Sequence, residues 1–138
     1  MADAKTYKKP LPRLDEETRG YWEALARHEL VFQRCGQCGT QRFYARAVCP
    51  VCLSSAVTWI RASGRGTVYS FTVTHQNQAP GFREELPYVL AVVELEEGLR
   101  MMTNVVGCAP DAVRIGMPVE VVFEDVAPDT TLGKFRLR

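Results

Sequence analysis

The residues best suited to chemistry are the cysteines, five in all, four of them in two pairs of identical spacing. Cys35-Gly-Gln-Cys38 and Cys49-Pro-Val-Cys52 are both Cys-x2-Cys pairs, with ten residues between Cys38 and Cys49. Each pair can wrap one face of a tetrahedral ion. Together they supply four thiolates, the closed shell of a structural zinc site. Iron takes the same ligand set. The stretch between the pairs is shorter than the roughly 15–20 residues of the commonest ribbon spacing. It is still long enough for a short hairpin through Arg42, Phe43 and Tyr44. The alternatives are four free buried thiols or two disulfides, and a reducing compartment disfavours the disulfides. A closed four-thiolate shell has no open coordination position, so its expected work is structural. In small peptides such binding is worth on the order of 10–16 kcal/mol of folding free energy.

Other catalytic constellations are scarce. The chain contains no Gly-x-Ser-x-Gly, no His-Glu-x-x-His and no phosphate loop. Of the two histidines, His28 falls near a helix end and His75 ends a strand pattern. Surface or packing roles suit both. Cys108 reads as a small buried hydrophobe, since nothing in the sequence brings it to His75. Glu84-Glu85 reads as a solvated pair, and Asp3 with Lys5, Lys8 and Lys9 as a solvated tail.

Several elements must position the cysteines. Residues 1–13 read as a flexible or extended arm. Asp15 is a fitting N-cap for a helix that carries Tyr21, Trp22, Leu25 and Ala26 on one face and runs to about Leu30. Gly20 weakens that helix by about 1 kcal/mol relative to Ala. After Trp59 the pattern is all β. Thr67–His75 alternates, with Tyr69, Phe71 and Val73 on one face. Strand patterns follow at Tyr88–Glu96, Leu99–Val106, Val119–Glu124 and around Phe135–Leu137, with Glu97-Gly98 as a turn. About five strands with no helix-length pattern among them suit a small, partly open barrel. The expected division is an arm and helix over 1–30, a metal ribbon over 31–60 and a barrel over 61–138.

The whole composition is that of an ordinary globular chain: 138 residues, 46% hydrophobic and 24% charged. No run of 18 apolar residues exists and the first residues have no apolar signal core, so a cytoplasmic protein without a membrane span is expected. Seventeen Lys and Arg against 16 Asp and Glu leave a net charge of +1, which disfavours a strongly basic nucleic-acid binder.

Taken in order, the motifs resemble a known family. A helical N-terminus precedes Cys-x2-Cys, a short loop and Cys-Pro-x-Cys. Then come Trp59, Gly64-Arg-Gly-Thr67-Val-Tyr-Ser-Phe-Thr72, Pro87-Tyr88, Glu97-Gly98 and Ile115-Gly-Met-Pro-Val119. This order, from about Leu14 to Leu137, resembles the zinc-ribbon OB-fold proteins once called domain of unknown function 35. The resemblance implies a helix or helical hairpin, a rubredoxin-like zinc ribbon held by Cys35, Cys38, Cys49 and Cys52, and a C-terminal OB barrel. It also implies a non-catalytic accessory subunit that binds acyl-CoA beside a thiolase-like (ketothiolase, acyltransferase or aldolase) or hydratase-like partner. The alternative is a nucleic-acid-binding zinc-ribbon/OB-fold module, with Tyr44, Trp59, Tyr69 and Phe71 as stacking rings.

Two features sharpen the expectation of an anionic ligand. Gln76–Pro87 is a twelve-residue loop between two strands, either an ordinary mobile loop or one whose Phe82 and Arg83 cover a ligand or partner. From Leu30 to Arg83 there is no Asp or Glu, while Arg34, Arg42, Arg46, Arg61, Arg65 and Arg83 make that segment +6 and leave the rest at −5. Arginine suits bidentate phosphate contact. The candidate contacts to acyl-CoA or partner are therefore Arg42, Arg46, Arg65, Phe82 and Arg83. Charge reversal at Arg42, Arg46 or Arg65 is expected to weaken binding far more than reversal at Lys5 or Lys134.

Overall fold

A computed structural model describes residues 7–138. Helix α1 (Arg19–Ala26) is followed by three short strands, β1 (Val31–Cys35), β2 (Gln41–Arg42) and β3 (Val57–Arg61). Five longer strands complete the chain: β4 (Arg65–Thr74), β5 (Tyr88–Leu95), β6 (Arg100–Val106), β7 (Pro118–Ala127) and β8 (Thr130–Leu137). The first three form a sheet in the order β2-β1-β3, and the other five close into a barrel in the order β4-β5-β6-β8-β7. All barrel pairings are antiparallel except β6 with β8. The protein is thus mainly β, with one N-terminal helix, a ribbon and a five-stranded barrel of OB type. A single 3-10 turn at Pro110–Ala112 stands between β6 and β7.

The helix is shorter than its apolar spacing predicts. Asp15 is not its N-cap: that position is Thr18, which makes no side-chain capping bond, while Asp15 Oδ1 accepts from the Thr18 backbone N–H at 3.0 Å and the Thr18 hydroxyl at 2.8 Å in the turn ahead of the helix. Regular helix then runs only from Arg19 to Ala26, and the chain leaves it through His28 at φ 60°. Gly20 has a packing reason: a Cβ there would stand 2.5 Å from the Trp59 indole of β3. The helix gives up propensity so that the ring can lie against its backbone.

Strand parity is also not uniform. In β4 Gly66 and Val68 face inward, but the register slips between Val68 and Ser70, so Phe71 and Val73 take the inward face. Tyr69, expected beside Phe71, instead points out and lies under the Arg100 guanidinium, 3.7 Å from ring centre. Such a bulge places an extra residue on one strand and reverses its faces. In β5 the alternation is clean, with Val89, Ala91, Val93 and Leu95 buried.

One hydrophobic core joins all the layers. Leu25 of α1, Phe32 of β1 and Phe43 of the ribbon share it with Val68, Val93, Val119 and Phe135 of the barrel. The arm is pinned as well. Lys9, read as solvated tail, has a side chain only 9% exposed, its Nζ 2.5 Å from Glu85 and 5.2 Å from the Phe82 ring centre. Lys8 pairs with Glu84 at 3.6 Å. The arm therefore straps the 76–87 loop, while Asp3 and Lys5 lie outside the described residues. Among the described residues no helix is long and apolar enough to cross a membrane.

Candidate metal centre and ligand groove

Cys35 ends β1 and Cys38 lies in the turn to β2, while the loop before β3 carries Cys49 and Cys52. Their four sulfurs all lie within 4.8 Å of one another. Cys35 and Cys52 are 3.5 Å apart and Cys38 and Cys49 are 3.7 Å apart. A tetrahedral ion with metal–sulfur bonds of about 2.3 Å sets sulfurs about 3.8 Å apart, so the donor set fits zinc or iron. All four are free thiols, with no disulfide formed.

The backbone prepares them for a cation. The N–H groups of Cys38 and Gln37 both point at Cys35 Sγ, each at 3.4 Å, and bring that thiol down to about 6. The Thr40 hydroxyl, 3.1 Å away, lowers Cys38. At Cys52 the Ser54 backbone N–H favours the thiolate, but burial and the other three sulfurs outweigh it and push the thiol up to about 12. Four thiolates this close repel one another, and a dication is what allows all of them to ionise together.

A second feature lies beside the short seam that closes the barrel. β6 and β8 pair only at Val105–Phe135 and Val106–Arg136. Beside the unpaired stretch lies a groove of about 400 Å³, walled by Trp22 and Leu25 of α1, Phe43 and Tyr44 of the ribbon, and Met101 and Leu132 of the barrel. The Tyr44 hydroxyl accepts the Met102 backbone N–H at 3.1 Å, so a ribbon side chain takes a donor that a neighbouring strand would otherwise meet. Thr103 spans the gap through its hydroxyl to the Gly133 carbonyl at 3.1 Å. Arg46 and Lys134 supply the charges of the groove wall. No carboxylate, imidazole or thiol lines it among the described residues.

Asn104 and Lys134 also line a neighbouring cavity of about 440 Å³, together with Phe82, Tyr88 and Cys108. Lys134 is a position where charge reversal is expected to weaken binding little. It is buried, its Nζ 2.6 Å from Glu124, between the two cavities. Cys108 is half-buried in that second wall. His75 is exposed beyond the end of β4, and His28 stacks on Phe123 at 5.0 Å and reaches Asp125 at 3.0 Å.

The expected contact residues separate in space. Arg46 lines the groove, 3.7 Å from Glu17. Phe82 lines the second cavity. Arg65 and Arg83 are exposed and line neither. Arg42 is 8% exposed, its Nε donating to Gln33 Oε1 at 2.7 Å and its Nη2 to the Arg46 carbonyl at 2.9 Å. Gln33 Oε1 also accepts the Arg46 backbone N–H at 2.9 Å. Arg42 therefore braces the loop that presents Arg46, and its own guanidinium is withdrawn from the surface. The rings proposed for base stacking are mostly occupied: Trp59 lies on Gly20, Phe71 packs on the core, and Tyr69 is covered by Arg100. The groove walls contributed by Met101 and Leu132 escaped sequence reading, because strand periodicity marks them as ordinary barrel positions.

Comparison with known proteins matches the ribbon and the barrel separately. Residues 22–58 match the family model of the ChsH2 rubredoxin-like zinc ribbon domain, and residues 59–124 that of the ChsH2 C-terminal OB-fold domain. A DUF35 domain-containing scaffold protein of Methanocaldococcus jannaschii is 43% identical over 113 residues, covering 80% of this chain and 79% of that one. The chain belongs to the DUF35 family. A probable enoyl-CoA hydratase alpha subunit of Thermomonospora curvata is 42% identical over 93% of this chain, which spans only 40% of that relative's length. Among solved structures, a chain of the Ltp2-ChsH2(DUF35) aldolase superposes with a TM-score of 0.83 at 42% identity, over 91% of this chain and 98% of that one.

Proposed function

We propose that this DUF35 protein is a non-catalytic accessory subunit that helps bind an acyl-CoA and supports a thiolase-like or hydratase-like enzyme. The observation that carries the reading is the groove at the β6–β8 gap. Its walls are apolar, its volume of about 400 Å³ lies in the range of small-molecule sites, and Arg46 stands in its wall. An acyl or pantetheine arm suits the apolar floor, and a phosphate suits Arg46. A wall without carboxylate, imidazole or thiol offers binding and orientation, and leaves bond-making to the partner. The aldolase and hydratase relatives support the class of partner.

The four cysteines would hold a structural zinc whose contribution is to fix the ribbon that brings Phe43, Tyr44 and Arg46 to the groove. Trp22 is a built-in reporter. Titration with acyl-CoA thioesters of increasing chain length should change its fluorescence saturably. Arg46→Glu should weaken that affinity roughly tenfold or more, while Arg65→Glu leaves it within about twofold. Equal losses at both, or no saturable change with any thioester, defeats the ligand reading. Affinity purification of the tagged protein from its native host, followed by mass spectrometry, tests the partner. Recovery of nucleic acid in place of an acyl-CoA enzyme would overturn it.

A further inference from the structure

The two cysteine knuckles match in backbone, and the residue that closes each turn is a glycine in the first and a leucine in the second. In each, the residue after the second cysteine donates its backbone N–H to the carbonyl of the first, Gly39 to Cys35 at 3.1 Å and Leu53 to Cys49 at 2.9 Å. Each adopts a left-handed backbone, Gly39 at φ 77° and Leu53 at φ 66°. Glycine takes this conformation without strain, whereas a leucine pays for its Cβ. The strain does not serve the core, because Leu53 is 75% exposed. Val51, inside the same knuckle, is 68% exposed, and Val48 and Val57 on either side are exposed too. Retained strain that displays an apolar side chain to solvent points to a contact made outside the chain.

We infer that the second knuckle, with Leu53 and Val51 at its tip, is the docking surface for the enzyme partner, and that it seats on an apolar patch rimmed by acidic side chains. The charge argument selects that partner surface. No Asp or Glu occurs between Leu30 and Arg83. Arg34, exposed on β1 beside Thr58 in register, makes no ion pair among the described residues. An acidic rim would steer and orient docking while the apolar tip supplies the buried area. Because the tip is built on two metal ligands, docking should require the loaded ribbon. The inference rests on the accessory-subunit reading and adds the place and chemistry of the contact.

The test uses the full chain with zinc bound and the purified enzyme subunit that the wild type retains from its host. Leu53→Gly removes the strain and the side chain together. It should keep its zinc and melt at or above the wild-type temperature, yet bind the enzyme at least about tenfold more weakly. Val51→Ser should weaken binding in the same direction. Ile115→Ser, on a barrel turn and 70% exposed in the wild type, should bind within about twofold. Arg34→Glu should slow association, with the difference shrinking at high salt. Wild-type affinity in both Leu53→Gly and the Val51→Ser/Leu53→Gly double variant overturns the docking surface while leaving the accessory reading intact. A wild type that retains no enzyme overturns both. Zinc-bound wild type that sediments as a dimer, with Leu53→Gly a monomer, would assign the tip to a second copy of the chain and overturn the partner.

Discussion

At the scale of single residues, two opposed effects can be separated at Gly20. Helix propensity alone predicts that Gly20→Ala stabilises the protein by about 1 kcal/mol. Packing predicts the reverse, since the new Cβ would meet the Trp59 ring at 2.5 Å. Displacing a packed ring costs about 1–3 kcal/mol, so a net loss of stability is expected, read as a lower denaturation midpoint in urea. Asp125 gives a pH dependence. The Thr131 hydroxyl at 2.6 Å and His28 at 3.0 Å hold its carboxyl below the usual carboxylate range. A group whose folded value lies below its unfolded one stabilises fully above the unfolded value near 4, and that contribution disappears as pH falls through the folded value. Asp125→Asn should therefore be less stable than wild type at neutral pH, with the gap closing in acid. Thermal melts of both proteins from pH 7 to pH 2 would show it, and a constant gap would remove the interaction from the account.

At the scale of elements, the loop between β4 and β5 and the N-terminal arm form one unit. Lys9 is the link, between Glu85 and the face of Phe82. Removing a charged hydrogen-bond partner from such a site costs about 1–3 kcal/mol locally. Lys9→Ala should speed amide exchange across residues 76–87 with little change in β5 or β6, measured by hydrogen-exchange mass spectrometry. The strands around this loop were legible in the sequence, because alternation survives wherever one face is buried, as in β5. The slip at Tyr69 was not. A bulge adds a residue without marking it in composition, and only the pairing with β5 shows that parity has reversed.

For the whole molecule, ribbon and barrel share one core, so the metal should not stabilise the ribbon alone. Phe32 and Phe43 are buried in the same cluster as Val93 and Phe135. A metal held by the four cysteines would bind the native state and add to its stability by mass action. Metal removal by a strong chelator should lower the temperature of a single calorimetric transition and also abolish the acyl-CoA binding proposed above, since the groove loses Tyr44 and Arg46. Two separate transitions would mean that the ribbon is an independent unit. The charge halves behave differently from their sum. The +6 segment does face outward through Arg34, Arg61 and Arg65, but Arg42 has gone inside to brace a loop.

The sequence by itself determined the cysteine cluster, the run of strands and the family, because each rests on local spacing: ligands three apart in a knuckle, side chains two apart in a strand. Only the tertiary structure decided where a ligand can lie. The groove exists because β6 and β8 part before their parallel pairing begins, and because a ribbon tyrosine from far along the chain satisfies the amide left over. The same holds for Arg42, Lys9 and Lys134, whose side chains are buried because Gln33, Glu85 and Glu124 stand opposite them in space. A charge inside a protein is placed by its partner, and partners across a fold leave no mark in the order of residues.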